Sequence, residues 1–466
     1  MRFNFGSVFH VRRLPVITFI LVSMISFEAF ANPYEYMLAN GLKLIVKEDH
    51  RSPVVVSQIW YKAGSIDELN GTTGIAHVLE HMMFKGTENV SSGEFSKQIA
   101  AVGGRNNAFT ARDYTAYFQQ LHKSKLPLAM KLEADRMNNL KLTKEEFAKE
   151  IKVVMEERRL RTDDQAHSLV YEKMMAVAYQ SHPYRRPVVG WMNDLENMSV
   201  HDAQEWYDRW YTPNNAVLVV VGDVNPNEVF SLAKKYYGKI KSRPIVSLIS
   251  RKPQTEPIQT GIKRLQVKAP AQMPHLIMGY HAPVLHDANA DWEPYALEML
   301  VGVLNGNGSA RLNKELVRDL HIASSVNAAY DATGRGPGLF FLNGTPSEGK
   351  SVAELESALR NEIERLIREG VTEKELIRAK AQVVSGHVFQ LDSMFYQAMQ
   401  IGQLESIGLS YLDIDTIIKK LQAVTAKQIR EVAIKYLIDD GLTVAVLDPQ
   451  PLEKKSATPS SVGLRH

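Results

Sequence analysis

The sequence predicts an α+β fold made twice: two homologous α/β-sandwich domains, each an antiparallel-rich sheet covered by helices, arising from an internal duplication. Three observations predict it. With 466 residues, one hydrophobic core is not enough and two or more domains are expected. Short alternating apolar segments are interleaved with longer segments of helical period. The second half also repeats the first. Ser199–Val221 lies without gaps over Thr425–Leu447 at an offset of 226, and Leu142–Glu146 lies over Val371–Glu375 at an offset of 229. A three-residue insertion in a connecting loop accounts for the difference and costs little.

In chain order, residues 1–31 stand apart. Arg2, Arg12 and Arg13 precede an apolar run over 14–27, and Ala29-Phe30-Ala31 gives a small-x-small cleavage pattern before Asn32. This reads as a secretory signal peptide cut after Ala31, placing the mature chain in the periplasm of a Gram-negative bacterium with no stable membrane anchor. Cleavage removes three Arg and Glu28, which lowers the formal charge from +3 to +1. So balanced a chain offers no nucleic-acid or anionic-membrane surface. Hydrophobic and charged contents of 45% and 23% are those of an ordinary globular protein. The chain contains no Cys, which excludes disulfides and thiolate metal sites, so any metal site must be built from His and carboxylates.

The N-terminal domain is expected over 32–245. Residues 36–46 read as a hairpin around Asn40-Gly41, and 54–61 as a strand. Strands follow over 107–110 and 114–121, helices over 126–138 and 143–161, and a last strand over 216–221. Pro, Ser and Lys accumulate over 242–257, which marks a linker, bounded here at 246–262. The C-terminal domain is expected over 263–450 and a tail over 451–466.

One stretch concentrates the chemistry: Gly74-Ile-Ala-His77-Val-Leu-Glu80-His81-Met-Met-Phe-Lys85-Gly86. On a helix, positions 77, 80 and 81 share a face, so two imidazoles and a carboxylate project together, and Gly86 reads as the helix stop. Two imidazoles suit zinc, and a carboxylate one turn away can accept a proton from water, which is the equipment of a metal hydrolase. His-x-x-Glu-His is the mirror order of His-Glu-x-x-His, the inverzincin pattern. Further on, Glu150 and Glu157 lie two helical turns apart on one face. Spacing alone leaves open whether they serve a metal or form a solvated face.

His77-Val-Leu-Glu80-His81, with Glu157 in Glu150-Ile-Lys-Val-Val-Met-Glu-Glu157, resembles the pitrilysin family of zinc peptidases. Asn107-Ala-Phe-Thr110, Asp113-Tyr-Thr115-Ala-Tyr117, His182-Pro-Tyr184 with Gly190, and Tyr211-Thr-Pro-Asn-Asn215 extend the likeness over nearly all the mature chain. The length is that of the short two-domain branch that includes the mitochondrial processing peptidases. The resemblance implies one zinc per chain held by His77, His81 and Glu157, with Glu80 as general base and Glu150 supporting the site. It further implies that a peptide substrate adds as a strand along Asn107, Ala108, Phe109 and Thr110. Under the 229 offset Glu150 falls on Ala379 and Glu157 on Gly386, so the second half should carry no metal.

The chain departs from the family in one segment. Single-chain and homodimeric members carry an Arg and a Tyr seven residues apart that help bind substrate and stabilise the oxyanion. Here Glu315-Leu-Val317-Arg-Asp-Leu-His-Ile-Ala-Ser324-Ser-Val326 places Val317 and Ser324 at those positions. Val317 has no hydrogen-bond donor, and Ser324 lacks the reach of a phenol. The expected partner is therefore a homologous subunit that brings the Arg/Tyr pair; the alternatives are Arg318 or Tyr330 of this chain as substitutes, a chain that works weakly alone, or a homodimer. The leading reading is an exported zinc metalloendopeptidase subunit acting on unfolded or small polypeptides, and the alternative is a catalytically silent scaffold or core-type subunit.

Overall fold

The computed structural model describes residues 33–244 and 255–452, so the expected signal peptide over 1–31, most of the linker and the tail beyond 452 lie outside the described residues. The first sheet has six strands, β1 (Tyr34–Met37), β2 (Lys43–Glu48), β3 (Val54–Tyr61), β4 (Arg105–Thr110), β5 (Thr115–His122) and β6 (Ala216–Gly222), in the order β1-β2-β6-β3-β5-β4. With them come helices α1 (Ile75–Met82), α2 (Glu94–Ala101), α3 (Leu126–Asn139), α4 (Lys144–Arg158), α5 (Ala166–Ala178), α6 (Met192–Asn197), α7 (Val200–Trp210) and α8 (Pro226–Tyr236). The second sheet joins β7 (Lys263–Pro270), β8 (His275–Ala282), β9 (Ala323–Ala329), β10 (Gly338–Pro346) and β11 (Leu442–Gln450) in the order β7-β11-β8-β10-β9. Its helices are α9 (Glu293–Asn305), α10 (Val352–Glu369), α11 (Glu373–Gln390), α12 (Met394–Ile407), α13 (Ile414–Ala423) and α14 (Ala426–Tyr436).

The duplication is visible in the topology. In each sheet one parallel pair, β2 with β6 and β7 with β11, adjoins an antiparallel run, and the strand order matches once β1 is set aside. The repeated sequences also coincide with equivalent elements, α7 with α14 and α4 with α11. Two local differences from expectation appear. The helix expected over 143–161 ends at Arg158 and continues as a wider π turn over Arg159–Asp163. The helix carrying His77 ends at Met82, with the left-handed Gly86 (φ +105°) closing the turn after it.

Strand periodicity explains why both faces of the central strands are apolar. On β6, Leu218 and Val220 face the α1 side while Val217, Val219 and Val221 face the opposite layer; on β3, Ile59 and Tyr61 oppose Val56 and Trp60. That opposite layer comes from the other half of the chain. Met394, Ala398 and Ile401 of α12 cover the first sheet, and Val170 and Met174 of α5 cover the second beside Ile277, Ala445 and Leu447. Each half thus lends one helix to the other's sheet. The approach is close enough to need glycine on one side of each contact: a Cβ on Gly402 would sit 2.1 Å from the Trp60 ring, and one on Gly279 would sit 2.3 Å from the Met174 methyl.

Candidate metal centre and substrate cleft

Helix α1 is short, and its orientation is set by its neighbours. Ile75, Ala76, Val78, Leu79 and Met82 are buried in the first core, which turns His77, Glu80 and His81 toward α4 and β4. The first turn of a helix leaves backbone N–H groups unpaired. Here the Glu68 carboxylate accepts from the N–H groups of Gly74 (2.8 Å) and Ala76 (3.0 Å), and Asp194 accepts from the Thr73 N–H (3.2 Å) and hydroxyl (2.6 Å). Gly74, at φ +89°, caps the helix where a Cβ would lie 2.5 Å from the Val189 carbonyl, so the loop before Gly190 presses directly on the start of α1.

Helix α4 brings the carboxylates. Glu157 Oε2 lies 3.3 Å from His81 Nε2 and 3.6 Å from His77 Nε2, and one ligand atom from each of the three residues falls within 4.8 Å of the others. Glu150 does not share this point. Its Oε2 lies 3.3 Å from His81 Nδ1, and its Oε1 accepts from Lys85 Nζ at 2.6 Å, so it holds the far side of the His81 ring. Arg161 pairs with the other Glu157 oxygen. Glu80 accepts a hydrogen bond from Thr110 Oγ1 at 2.5 Å, which ties it to the end of β4.

Electrostatics sort the groups. Burial, reinforced by His81 and Arg161, lowers His77 to about 3, so its imidazole is held neutral, the form a metal requires. Burial would also lower His81, but the hydrogen bond to Glu150 and the charges of Glu80, Glu157 and Glu150 outweigh it and raise it. Glu80 is raised by burial, in part offset by the Thr110 hydrogen bond and by His81. Burial opposes ionisation of Glu150 as well, yet its hydrogen bonds from His81 and Lys85 prevail and lower it.

The donor set fits zinc. A tetrahedral ion with ligands at about 2.0–2.1 Å sets its ligand atoms roughly 3.3 Å apart, and Glu157 already stands near that distance from both imidazoles. His77 Nδ1 is buried without a hydrogen-bond partner, which leaves its ring oriented by packing. These residues open into a cleft of about 600 Å³ together with Asn107, Ala108, Phe109 and Thr110. Strand β4 forms the edge of its sheet, pairing with β5 on one side (Asn107 opposite Phe118, Phe109 opposite Ala116), so its other side can receive an extended chain.

The cleft is lined by the first half alone. Val317 packs against the second core, Ser324 Oγ donates to the Thr345 carbonyl (3.2 Å), and Tyr330 Oη donates to the Pro283 carbonyl (2.5 Å); Arg318 is exposed, and none of the four lines it. At the equivalent place in the second half, α9 packs on α11 through Gly302 and Ala379, and Glu298 Oε1 meets His387 Nε2 at 2.6 Å. Among the described residues, His77, His81 and Glu157 form the single cluster able to hold a metal.

Two family models match. Residues 43–190 match the insulinase (peptidase family M16) model, and 197–383 match the peptidase M16 inactive-domain model. The chain belongs to peptidase family M16. This M16 chain is 30% identical over 395 residues to the zinc protease PqqE of Helicobacter pylori, covering 83% of this chain and 87% of the relative. It is 25% identical to the uncharacterized zinc protease YmxG of Bacillus subtilis over 89% and 98% of the two chains. A crystal structure of a protease from H. pylori superposes with a TM-score of 0.84 at 28% identity, covering 90% of this chain and all of that one. The periplasmic protease PqqL of Escherichia coli shares the fold (TM-score 0.76, 18% identity), with 93% of this chain matched to 51% of PqqL. The pitrilysin resemblance and the two-domain α+β fold are therefore correct, and the family is one of zinc proteases. The model matched by the second half is the inactive-domain one, in keeping with Ala379 and Gly386 standing where α4 has Glu150 and Glu157.

Several residues of the site escaped the sequence reading. Arg161 follows Glu157 by four residues and Lys85 follows His81 by four, so helical spacing could have flagged both. Glu68, Asp194 and the Thr110–Glu80 hydrogen bond carry no such signal.

Proposed function

We propose that this chain is an exported, zinc-dependent metalloendopeptidase subunit that hydrolyses peptide bonds in unfolded or small polypeptides, as a heterodimer with a homologue bearing the Arg/Tyr pair. The observation that carries the peptidase reading is the convergence of His77, His81 and Glu157 beside Glu80 in a cleft edged by β4. When bound, zinc supplies Lewis acidity at that point. An extended peptide adds along Asn107–Thr110, which favours flexible chains over folded ones. Glu80, oriented by Thr110, takes the proton from the attacking water and returns it to the leaving amine. Glu150 and Lys85 fix the ring of His81 through its Nδ1.

Support for a partner comes from what the cleft lacks. No residue of the second half lines it, and neither Val317 nor Ser324 can serve an oxyanion there. Loss of an oxyanion donor costs roughly a hundredfold or more in rate. PqqL, matched over half its length, accommodates about twice this chain in one polypeptide, which is consistent with a complete molecule made of two such units. Export is supported by the composition of residues 1–31, and among the described residues no helix is long and apolar enough to cross a membrane.

Elemental analysis of the purified chain should give about one zinc, lost on Glu157→Gln. Hydrolysis of an unstructured quenched peptide should be weak for the chain alone and rise at least tenfold with the homologue. Full activity of the chain alone would sink the heterodimer. Bound zinc with no hydrolysis under either condition would favour the scaffold. An N-terminus at Asn32 on the protein recovered from cells tests the export proposal.

A further inference from the structure

Beside the metal cleft lies a second cavity, of about 430 Å³, which none of the roles above uses. Arg161, Thr162, Val188 and Val189 line both spaces, so the two adjoin. The charge of this cavity is one-sided. Arg112, Arg161, Arg185 and Arg186 face it, and guanidinium groups stay protonated at any physiological pH. Its one carboxylate, Glu172, is already held on both oxygens by Arg158, at 2.7 and 2.9 Å.

Arg161 is engaged by Glu157, but the hydrogen bonds of the other three arginines go to neutral acceptors, although the Glu68 and Asp194 carboxyl groups act on Arg186 from further off. Arg112 donates to Tyr171 Oη (2.9 Å) and lies over the Tyr184 ring at 5.4 Å. Arg185 donates to the Gln180 carbonyl (2.8 Å), and Arg186 to Asn70 Oδ1 (3.0 Å) and the Glu68 carbonyl (2.5 Å). The buried arginines elsewhere among the described residues are matched by carboxylates, Arg136 by Glu133, Arg158 by Glu172 and Arg311 by Glu375. Three guanidinium groups with no carboxylate in hydrogen-bond contact repel each other around one cavity unless an anion joins them, and a carboxylate is the group their paired donors fit.

The position of the cavity says where that anion comes from. Arg112 follows the end of β4 by two residues, so a chain laid along Asn107–Thr110 and continuing past Thr110 meets it at about 3.3 Å per residue, within roughly four residues. We propose that the arginine cavity receives a carboxylate of the peptide, so that this chain selects polypeptides with an acidic group a few residues from the bond it cuts. The inference rests on the peptidase reading and names its substrate class. The carboxylate comes either from an Asp or Glu side chain or from the peptide's own C-terminus.

Binding of fluorescent peptides to the zinc-loaded Glu80→Gln chain, followed by anisotropy, tests it without turnover. Four peptides of one unstructured sequence suffice: Glu or Gln at the third to fifth residue beyond the cut, each as free acid or C-terminal amide. At least tenfold tighter binding of a carboxylate-bearing member is expected. A preference that follows Glu identifies a side chain, and one that follows the free acid identifies the terminus. Arg185→Gln, an exposed position whose replacement leaves packing intact, and Arg112→Gln should each bring the ratio of acidic to neutral affinities toward one. Equal affinity for all four peptides, or a preference that survives both substitutions, overturns the proposal. Because this assay needs no hydrolysis, absence of peptidase activity in the unsubstituted chain, both alone and with the homologue, would refute the enzyme reading separately.

Discussion

Replacing Arg158 tests how Glu157, the proposed third zinc ligand, is held in place. Arg158 adjoins Glu157, and its side chain is buried, as is that of Glu172. Its two terminal nitrogens grip Glu172 at 2.7 and 2.9 Å, one also donates to the Gly190 carbonyl at 2.9 Å, and the other lies 3.2 Å from Asp163. The guanidinium therefore joins the end of α4 to α5 and to the loop that presses on the start of α1. Arg158→Ala strands a buried carboxylate, for which removal of one partner costs about 3–5 kcal/mol. Arg158→Leu with Glu172→Leu removes both charges and keeps the volume, an exchange that is often close to neutral in a buried site. Urea unfolding followed by circular dichroism should show the alanine variant destabilised by about 3–5 kcal/mol and the double leucine variant by much less than the sum of its two singles. The reasoning fails if Arg158→Ala costs under about 1 kcal/mol, or if the two leucine substitutions simply add. Zinc content should fall with Arg158→Ala as well, since Glu157 is carried by the same turn.

Thr110→Val keeps the shape of the strand but removes the hydrogen bond to Glu80, so kcat for a quenched peptide should fall roughly tenfold to a hundredfold with KM little changed. A rise in KM alone would place Thr110 in peptide binding only. Gly402→Ala drives a methyl into the Trp60 ring, and despite the better helix propensity of Ala it should cost about 2 kcal/mol, read as a lowered Tm. Burial holds His182 and His275 at about 4, so the native chain refuses protons that the unfolded chain takes up near 6.5. Stability is therefore intact above that pH and declines as pH falls toward 4, by roughly 2 kcal/mol per histidine at pH 5. Melting curves at pH 7 and pH 5 check this, and His182→Gln should flatten the difference.

The face shared by His77, Glu80 and His81 was legible because a helix places i, i+3 and i+4 together whatever surrounds it. The alternating strands and the gapless repeat were legible for the same reason, since each is a property of neighbouring residues. Sequence spacing treated Glu150 and Glu157 alike. Only the packing of α4 on α1 separates them, with Glu157 between the two imidazoles and Glu150 behind one of them. Nor could periodicity reveal that α5 and α12 are exchanged between the sheets, because an apolar stripe specifies burial and not the surface that buries it. The arginine cavity is the same case. Arg112, Arg161 and the neighbouring pair Arg185 and Arg186 come from three segments far apart along the chain, and they meet because the turn after β4, the end of α4 and the loop before Gly190 converge on one cavity. The sequence by itself carried the resemblance to the family, the repeat and the shared face of His77, Glu80 and His81, each written in runs of neighbouring residues. The tertiary structure decided which carboxylate stands between the two imidazoles, what Glu80 is tied to and where the arginines gather, because these depend on contacts between segments distant in the chain.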